Sequence, residues 1–120
     1  MMFDLSVEGY FSAAHQVKGY PGDCASIHGH TYRVKVVFGA KTLDNIGLAI
    51  DFRHLKTALE QILAELDHKN LNDLTYFKEH NATTEYVAMY IFNEMKKEIN
   101  IVKAVTVWEG HNNSVTYYEN

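Results

Sequence analysis

Two stretches of the chain alternate between apolar and polar residues, and this period-2 pattern limits the possible folds more than any other feature. The first runs over residues 3–8 and the second over residues 31–38. Alternation places one set of side chains on each face of a strand, so both stretches predict strands with one buried face. Because 120 residues with 47% hydrophobic side chains suffice for one core, we expect residues 1–120 to form a single domain.

Helical periodicity appears after these two strands. Asp51 can cap a helix in which apolar residues recur at three- and four-residue spacing over residues 52–66. A second helix is predicted to begin near Thr83 and to bury apolar side chains as far as Met95.

The C-terminal part of the sequence predicts a β-hairpin. Residues 101–108 and 114–118 are β-branched and aromatic runs, and the Gly-His-Asn-Asn segment 110–113 between them is a predicted turn. The element order is therefore ββααββ. Strands that are neighbours in sequence pair most easily as antiparallel strands, so we expect an α+β fold with a four-stranded antiparallel sheet and two helices on one face.

Charge, cysteine content and hydropathy exclude several classes of protein. Fifteen acidic and eleven basic residues give a net charge of −4, so a uniformly basic surface for nucleic acid is not expected. The only cysteine, Cys24, rules out an internal disulfide. No stretch has the roughly 20 apolar residues of a membrane span, and the N-terminus lacks the basic start and apolar run of a secretory signal. These features predict a cytoplasmic protein with neither a nucleic acid nor a membrane as partner.

Three of the seven histidines form a candidate metal site. His28 and His30 are spaced i, i+2 at the start of a predicted strand, so both imidazoles project from one face. His15 ends the preceding strand and would lie beside them if the two strands form a hairpin. Three imidazoles with one open position are typical of catalytic zinc. Alternatively, His28 and His30 are surface residues, and His15 is a partly buried histidine held by hydrogen bonds.

Cys24 precedes His28 by four residues, and its role is open from the sequence alone. A nearby cation would raise its thiolate fraction and make it a usable base or nucleophile. It could also be an inert buried thiol, or a fourth ligand that closes a structural zinc site with the three histidines. The last alternative describes a module without catalytic activity.

Several short motifs, in this order over nearly the whole chain, resemble the 6-pyruvoyl-tetrahydropterin synthase family. They are Phe11-Ser12-Ala13-Ala14-His15; Cys24 followed by His28-Gly29-His30; Gly47 with Asp51-Phe52 and Leu55-Lys56; Leu66-Asp67-His68 with Leu71-Asn72; Thr83-Thr84-Glu85; and Trp108-Glu109. The three residues between Cys24 and His28 resemble the 6-carboxy-5,6,7,8-tetrahydropterin branch of the family, which serves queuosine biosynthesis.

This resemblance implies a tunnelling fold (T-fold) and a role for each matched residue. The implied zinc ligands are His15, His28 and His30. The implied catalytic residues are Cys24, which abstracts a proton, Asp67 and His68, which assist it, and Glu109. The implied substrate-binding residues are Glu109, Thr83 and Thr84, which contact the pterin ring.

The resemblance also implies a reaction and an assembly. The substrate would be 7,8-dihydroneopterin triphosphate, and the products 6-carboxy-5,6,7,8-tetrahydropterin, acetaldehyde and triphosphate. The alternative within the family is a synthase that yields the 6-pyruvoyl product without releasing an aldehyde. The expected assembly is a homohexamer, a dimer of trimers, with active sites completed across subunit boundaries. An exposed sheet face and two free edges fit this expectation, because a lone subunit would leave them uncovered.

Overall fold

One sheet with helices on one side forms the body of the protein in the computed structural model, which describes residues 2–22 and 26–119. The elements in chain order are β1 (Phe3–His15), β2 (His28–Ala40), α1 (Phe52–Ala64), β3 (Lys69–Asn70), a 3₁₀ turn (Leu71–Asp73), α2 (Thr75–Glu79), α3 (Thr84–Glu98), β4 (Val102–Glu109) and β5 (Asn113–Tyr118). Within the described ranges, no helix is long and apolar enough to cross a membrane.

The strand order in the sheet is β3-β1-β2-β4-β5. Strands β1 and β2 pair antiparallel over their full length, from Phe3 opposite Ala40 to His15 opposite His28. Strands β4 and β5 continue the antiparallel sheet, as the sequence predicted. The prediction of four strands missed β3, which pairs parallel to β1 for two residues. A strand that short has no period that a sequence pattern could reveal.

Both long helices pack on the same face of the sheet, which confirms the predicted α+β layout. Gly9 lies beneath α1, and a Cβ atom on it would be 2.8 Å from Leu63 Cδ1. Helix α3 covers β4 and β5, where the Phe92 and Tyr117 rings meet with centroids 5.0 Å apart. The five-residue α2 was not predicted, because it is too short to show helical periodicity.

Both long helices begin where the sequence predicted. The Asp51 carboxylate accepts a hydrogen bond of 2.8 Å from the Arg53 N–H at the start of α1. The Thr83 hydroxyl accepts one of 3.2 Å from the Tyr86 N–H at the start of α3. Each cap satisfies a backbone donor that the first helical turn leaves unpaired.

We expect Leu59→Ala to lower the free energy of unfolding by about 2–5 kcal/mol, because it leaves a cavity between α1 and the sheet. Leu59 is completely buried, whereas Leu43 in the link before α1 is 40% exposed. Urea denaturation at a fixed protein concentration would measure the loss, with Leu43→Ala as the matched control. Equal losses in the two variants would contradict the packing described for α1.

Candidate metal centre

Strand register brings three histidines and one glutamate to one end of the sheet, on the face that the helices cover. His15 is paired with His28 across β1 and β2, and His30 follows two residues later on the same face. Tyr32 follows in turn on that face and is paired with Glu109, the last residue of β4. Four side chains from three strands therefore converge without any contribution from a long loop.

The donor atoms of His15, His28, His30 and Glu109 all lie within 4.8 Å of one another, so the group could hold a metal ion. The centroids of the three imidazole rings are 4.6 to 5.2 Å apart. One carboxylate oxygen of Glu109, Oε1, lies 2.9 Å from His30 Nε2 and 3.9 Å from His15 Nε2. These spacings allow a single ion to contact all four residues.

Backbone carbonyls orient two of the imidazoles. The Nδ1 atom of His15 lies 2.7 Å from the carbonyl oxygen of Ala82, and that of His28 lies 2.7 Å from the carbonyl oxygen of Ser26. A carbonyl only accepts, so each Nδ1 donates its proton there, and in the neutral ring the lone pair is then on Nε2. This arrangement, with one nitrogen donating to a fixed acceptor, is typical of metal-binding histidines.

The centre also has polar atoms without hydrogen-bond partners. Among the described residues, the buried Nε2 atoms of His15 and His30 and the buried hydroxyl of Tyr32 have none. The contact between His30 and Glu109 is short but is not aligned as a hydrogen bond. An unpaired buried group costs about 1–3 kcal/mol, and a cation would satisfy both nitrogens. The residues thus fit a divalent metal ion.

Two groups at the centre have shifted pKa values, the His30 imidazole and the Tyr32 phenol. Burial lowers the pKa of His30 and outweighs the opposing effect of Glu109, and the neighbouring His15 and His28 lower it further. His30 is therefore neutral at neutral pH, as a ligand must be. Burial, and then the negative charge of Glu109, raise the pKa of the Tyr32 phenol, which keeps it protonated.

Comparison with known proteins identifies the family. A family model described as 6-pyruvoyl tetrahydropterin synthase matches residues 4–120. The chain belongs to this family. The membership confirms the resemblance drawn from the sequence motifs.

Two relatives and one solved structure that are similar to this chain carry three different enzyme names. Haemophilus influenzae 6-carboxy-5,6,7,8-tetrahydropterin synthase is 27% identical over an alignment 141 residues long. The alignment covers 98% of this chain and 100% of the relative. Dihydroneopterin monophosphate aldolase of Pyrococcus furiosus is 34% identical over 104 residues, 84% of each protein. The structure of Caenorhabditis elegans 6-pyruvoyl tetrahydropterin synthase matches with a TM-score of 0.90 at 28% identity, covering 100% of this chain and 97% of that one. The predicted T-fold is confirmed.

The two threonines matched to the family have different contacts. The Thr84 hydroxyl donates a 2.5 Å hydrogen bond to Glu109 Oε2, so it holds the carboxylate. The Thr83 hydroxyl is occupied as the cap of α3. The sequence predicted Glu109 only as a pterin-binding and catalytic residue and missed its place among the histidines. That place follows from the pairing of Tyr32 with Glu109 between β2 and β4, a long-range register that the sequence pattern does not specify.

Asp67 and His68 form a pair of their own, outside the cluster of metal donors. Asp67 Oδ1 accepts a 2.8 Å hydrogen bond from the Ser12 N–H at the outer edge of β1, and Oδ2 lies 3.0 Å from His68 Nδ1. These two contacts, the Ser12 bond first, lower the pKa of Asp67. His68 has a φ of 59° and a side chain that is 83% exposed. The remaining predicted catalytic residue, Cys24, lies outside the described residues.

The candidate centre predicts that a single histidine change removes the metal. His28→Ala deletes one of the three imidazoles, and we expect the bound metal per chain to fall to background after dialysis. His54→Ala removes an exposed histidine at the start of α1 and should leave the metal content unchanged. Elemental analysis of the purified proteins measures both. Retention of a full equivalent of metal by His28→Ala would contradict the ligand assignment.

Proposed function

We propose that the protein is a zinc-dependent lyase that converts 7,8-dihydroneopterin triphosphate to 6-carboxy-5,6,7,8-tetrahydropterin. The observation that carries this proposal is the convergence of His15, His28, His30 and Glu109 on a T-fold of the pterin synthase family. The full-length match to the Haemophilus influenzae enzyme supports the carboxy product. Within this proposal, the enzyme is cytoplasmic and serves queuosine biosynthesis.

Glu109 would orient the pterin ring. The ring presents a guanidine-like edge of N–H donors, and a carboxylate accepts two parallel hydrogen bonds from such an edge. The Thr84 hydroxyl already fixes one carboxylate oxygen, which reduces the freedom that Glu109 loses when it binds the ring. The side chain of Glu109 is 26% exposed, so a ligand can reach it.

Proton transfer would depend on Cys24, Asp67 and His68. Zinc held by the three imidazoles would supply Lewis acidity that makes the carbon-bound proton next to the substrate's side-chain hydroxyls more acidic. The Cys24 thiolate would take that proton, and His68 would exchange protons with the substrate while the ionised Asp67 keeps its imidazole oriented.

The position of the Asp67–His68 pair supports a hexamer with shared active sites. The pair lies at the outer edge of β1, and His68 is highly exposed in a single subunit. A proton-transfer group works best where water is excluded, and a neighbouring subunit packed on this edge would exclude it. Residues from two subunits would then form each site.

The overall reaction balances with one added water. Removal of the carbon-bound proton leads to loss of triphosphate, and cleavage of the side chain releases acetaldehyde and leaves the carboxylate. The second candidate function, the runner-up, is a 6-pyruvoyl synthase reaction, which stops after triphosphate elimination and yields the 6-pyruvoyl product. The close structural match to the Caenorhabditis elegans synthase supports this second candidate.

Product analysis tests the proposal directly. The purified, zinc-loaded protein is incubated with 7,8-dihydroneopterin triphosphate. The products are then separated, and their masses are measured by mass spectrometry. We expect 6-carboxytetrahydropterin, acetaldehyde and triphosphate in equal amounts. A 6-pyruvoyl product without aldehyde would establish the runner-up, and an unchanged substrate would overturn both.

Substitution of Cys24 tests its proposed role as the base. We expect Cys24→Ala to keep its zinc and to lose at least roughly a hundredfold in kcat, since it lacks the proton acceptor. Elemental analysis and turnover are measured on the same sample. Loss of zinc in this variant would instead favour the closed site of one cysteine and three histidines, and near-normal turnover would refute the assignment.

A further inference from the structure

The Glu109 carboxylate occupies the position expected of a fourth metal ligand. Two donors that are each roughly 2.0–2.1 Å from a tetrahedral zinc ion lie about 3.3 Å apart. Glu109 Oε1 lies 2.9 Å from His30 Nε2 and 3.9 Å from His15 Nε2, which brackets that spacing. The absence of hydrogen-bond alignment at His30 agrees with two lone pairs that point toward a common centre.

The remaining contacts of Glu109 favour this position. Thr84, at the first turn of α3, donates to Oε2 and leaves Oε1 directed at the imidazoles. Three imidazoles and one carboxylate complete a tetrahedral set, and a complete set leaves no position for a substrate. With all four donors in place, a tetrahedral ion offers an open position only when one donor leaves.

We propose that Glu109 has two mutually exclusive roles: it closes the metal centre when no pterin is bound, and it leaves the metal when its carboxylate binds the pterin ring. This inference rests on the proposed function, because it takes the pterin ring as the competitor. A carboxylate oxygen that shares its electrons with a divalent cation is a weaker acceptor for the ring's N–H groups. Binding of the ring thus opens the metal for the substrate's side chain.

This exclusivity has a thermodynamic consequence. If the ring and the metal compete for Glu109, each must weaken the binding of the other by the same factor. Glu109 is suited to such an exchange, because its carboxylate is partly exposed whereas His15, beside it, is buried. The three histidines hold the metal throughout, and only the carboxylate changes partner.

The first test measures metal binding without any pterin. Glu109→Gln keeps the shape of the side chain and its bond to Thr84 but offers a neutral amide, which is a poor zinc ligand. We expect its zinc affinity, measured by competition with a chelating dye, to fall by at least roughly tenfold. Glu8→Gln, which alters a carboxylate in the same sheet far from the centre, is the matched control. Circular dichroism checks folding, and Glu109→Asp provides a second variant. Unchanged affinity in both Glu109 variants would overturn the proposal.

The second test adds 6-methylpterin, which has the pterin ring but no side-chain hydroxyls that could bind a metal. We expect it to change the visible spectrum of the cobalt-loaded protein and to weaken zinc binding, while zinc weakens 6-methylpterin binding by the same factor. Binding of 6-methylpterin without any spectral or affinity change would overturn the exclusive roles and leave the proposed function intact. If 6-methylpterin does not bind to the native protein at all, the pterin-based function fails, and the exchange proposed for Glu109 fails with it.

Discussion

The pairing of β1 with β2 is the interaction on which the site depends. Thirteen residue pairs fix the register of these strands without a break. Because side chains alternate between faces, a slip of one residue would turn both histidines of β2 away from His15. The buried face of β1 and β2, with Phe11 stacked on Tyr32 at a centroid distance of 4.7 Å, holds the register against such a slip. Core packing and ligand geometry are thus enforced by the same contacts.

The sequence predicted those parts of the fold that have a strong period or a specific capping residue. The alternation in β1 and β2 and the caps at Asp51 and Thr83 were sufficient to order the main elements. Strand β3 was missed because its two residues depend on a tertiary contact with β1. Local pattern carries no information about such a contact.

The candidate site was predictable to a similar extent. The i, i+2 spacing of His28 and His30, together with a hairpin, was enough to place His15 beside them. The carbonyls of Ala82 and Ser26 could not be predicted, because backbone acceptors have no sequence signature. The place of Glu109 depends on the pairing of β2 with β4, strands separated by about sixty residues of chain. Long-range register of that kind has to be observed.

Three consecutive residues at the start of α3 contact the candidate metal centre at two points. The carbonyl of Ala82 holds the His15 imidazole, Thr83 caps the helix, and the Thr84 hydroxyl holds Glu109. One short segment therefore sets the orientation of a candidate metal ligand, His15, and of the carboxylate that we propose to be exchangeable. Any displacement of α3 along its axis would be transmitted to both side chains together. Helix α3, which runs from the candidate centre across β4 and β5, is thereby linked mechanically to the geometry of the site.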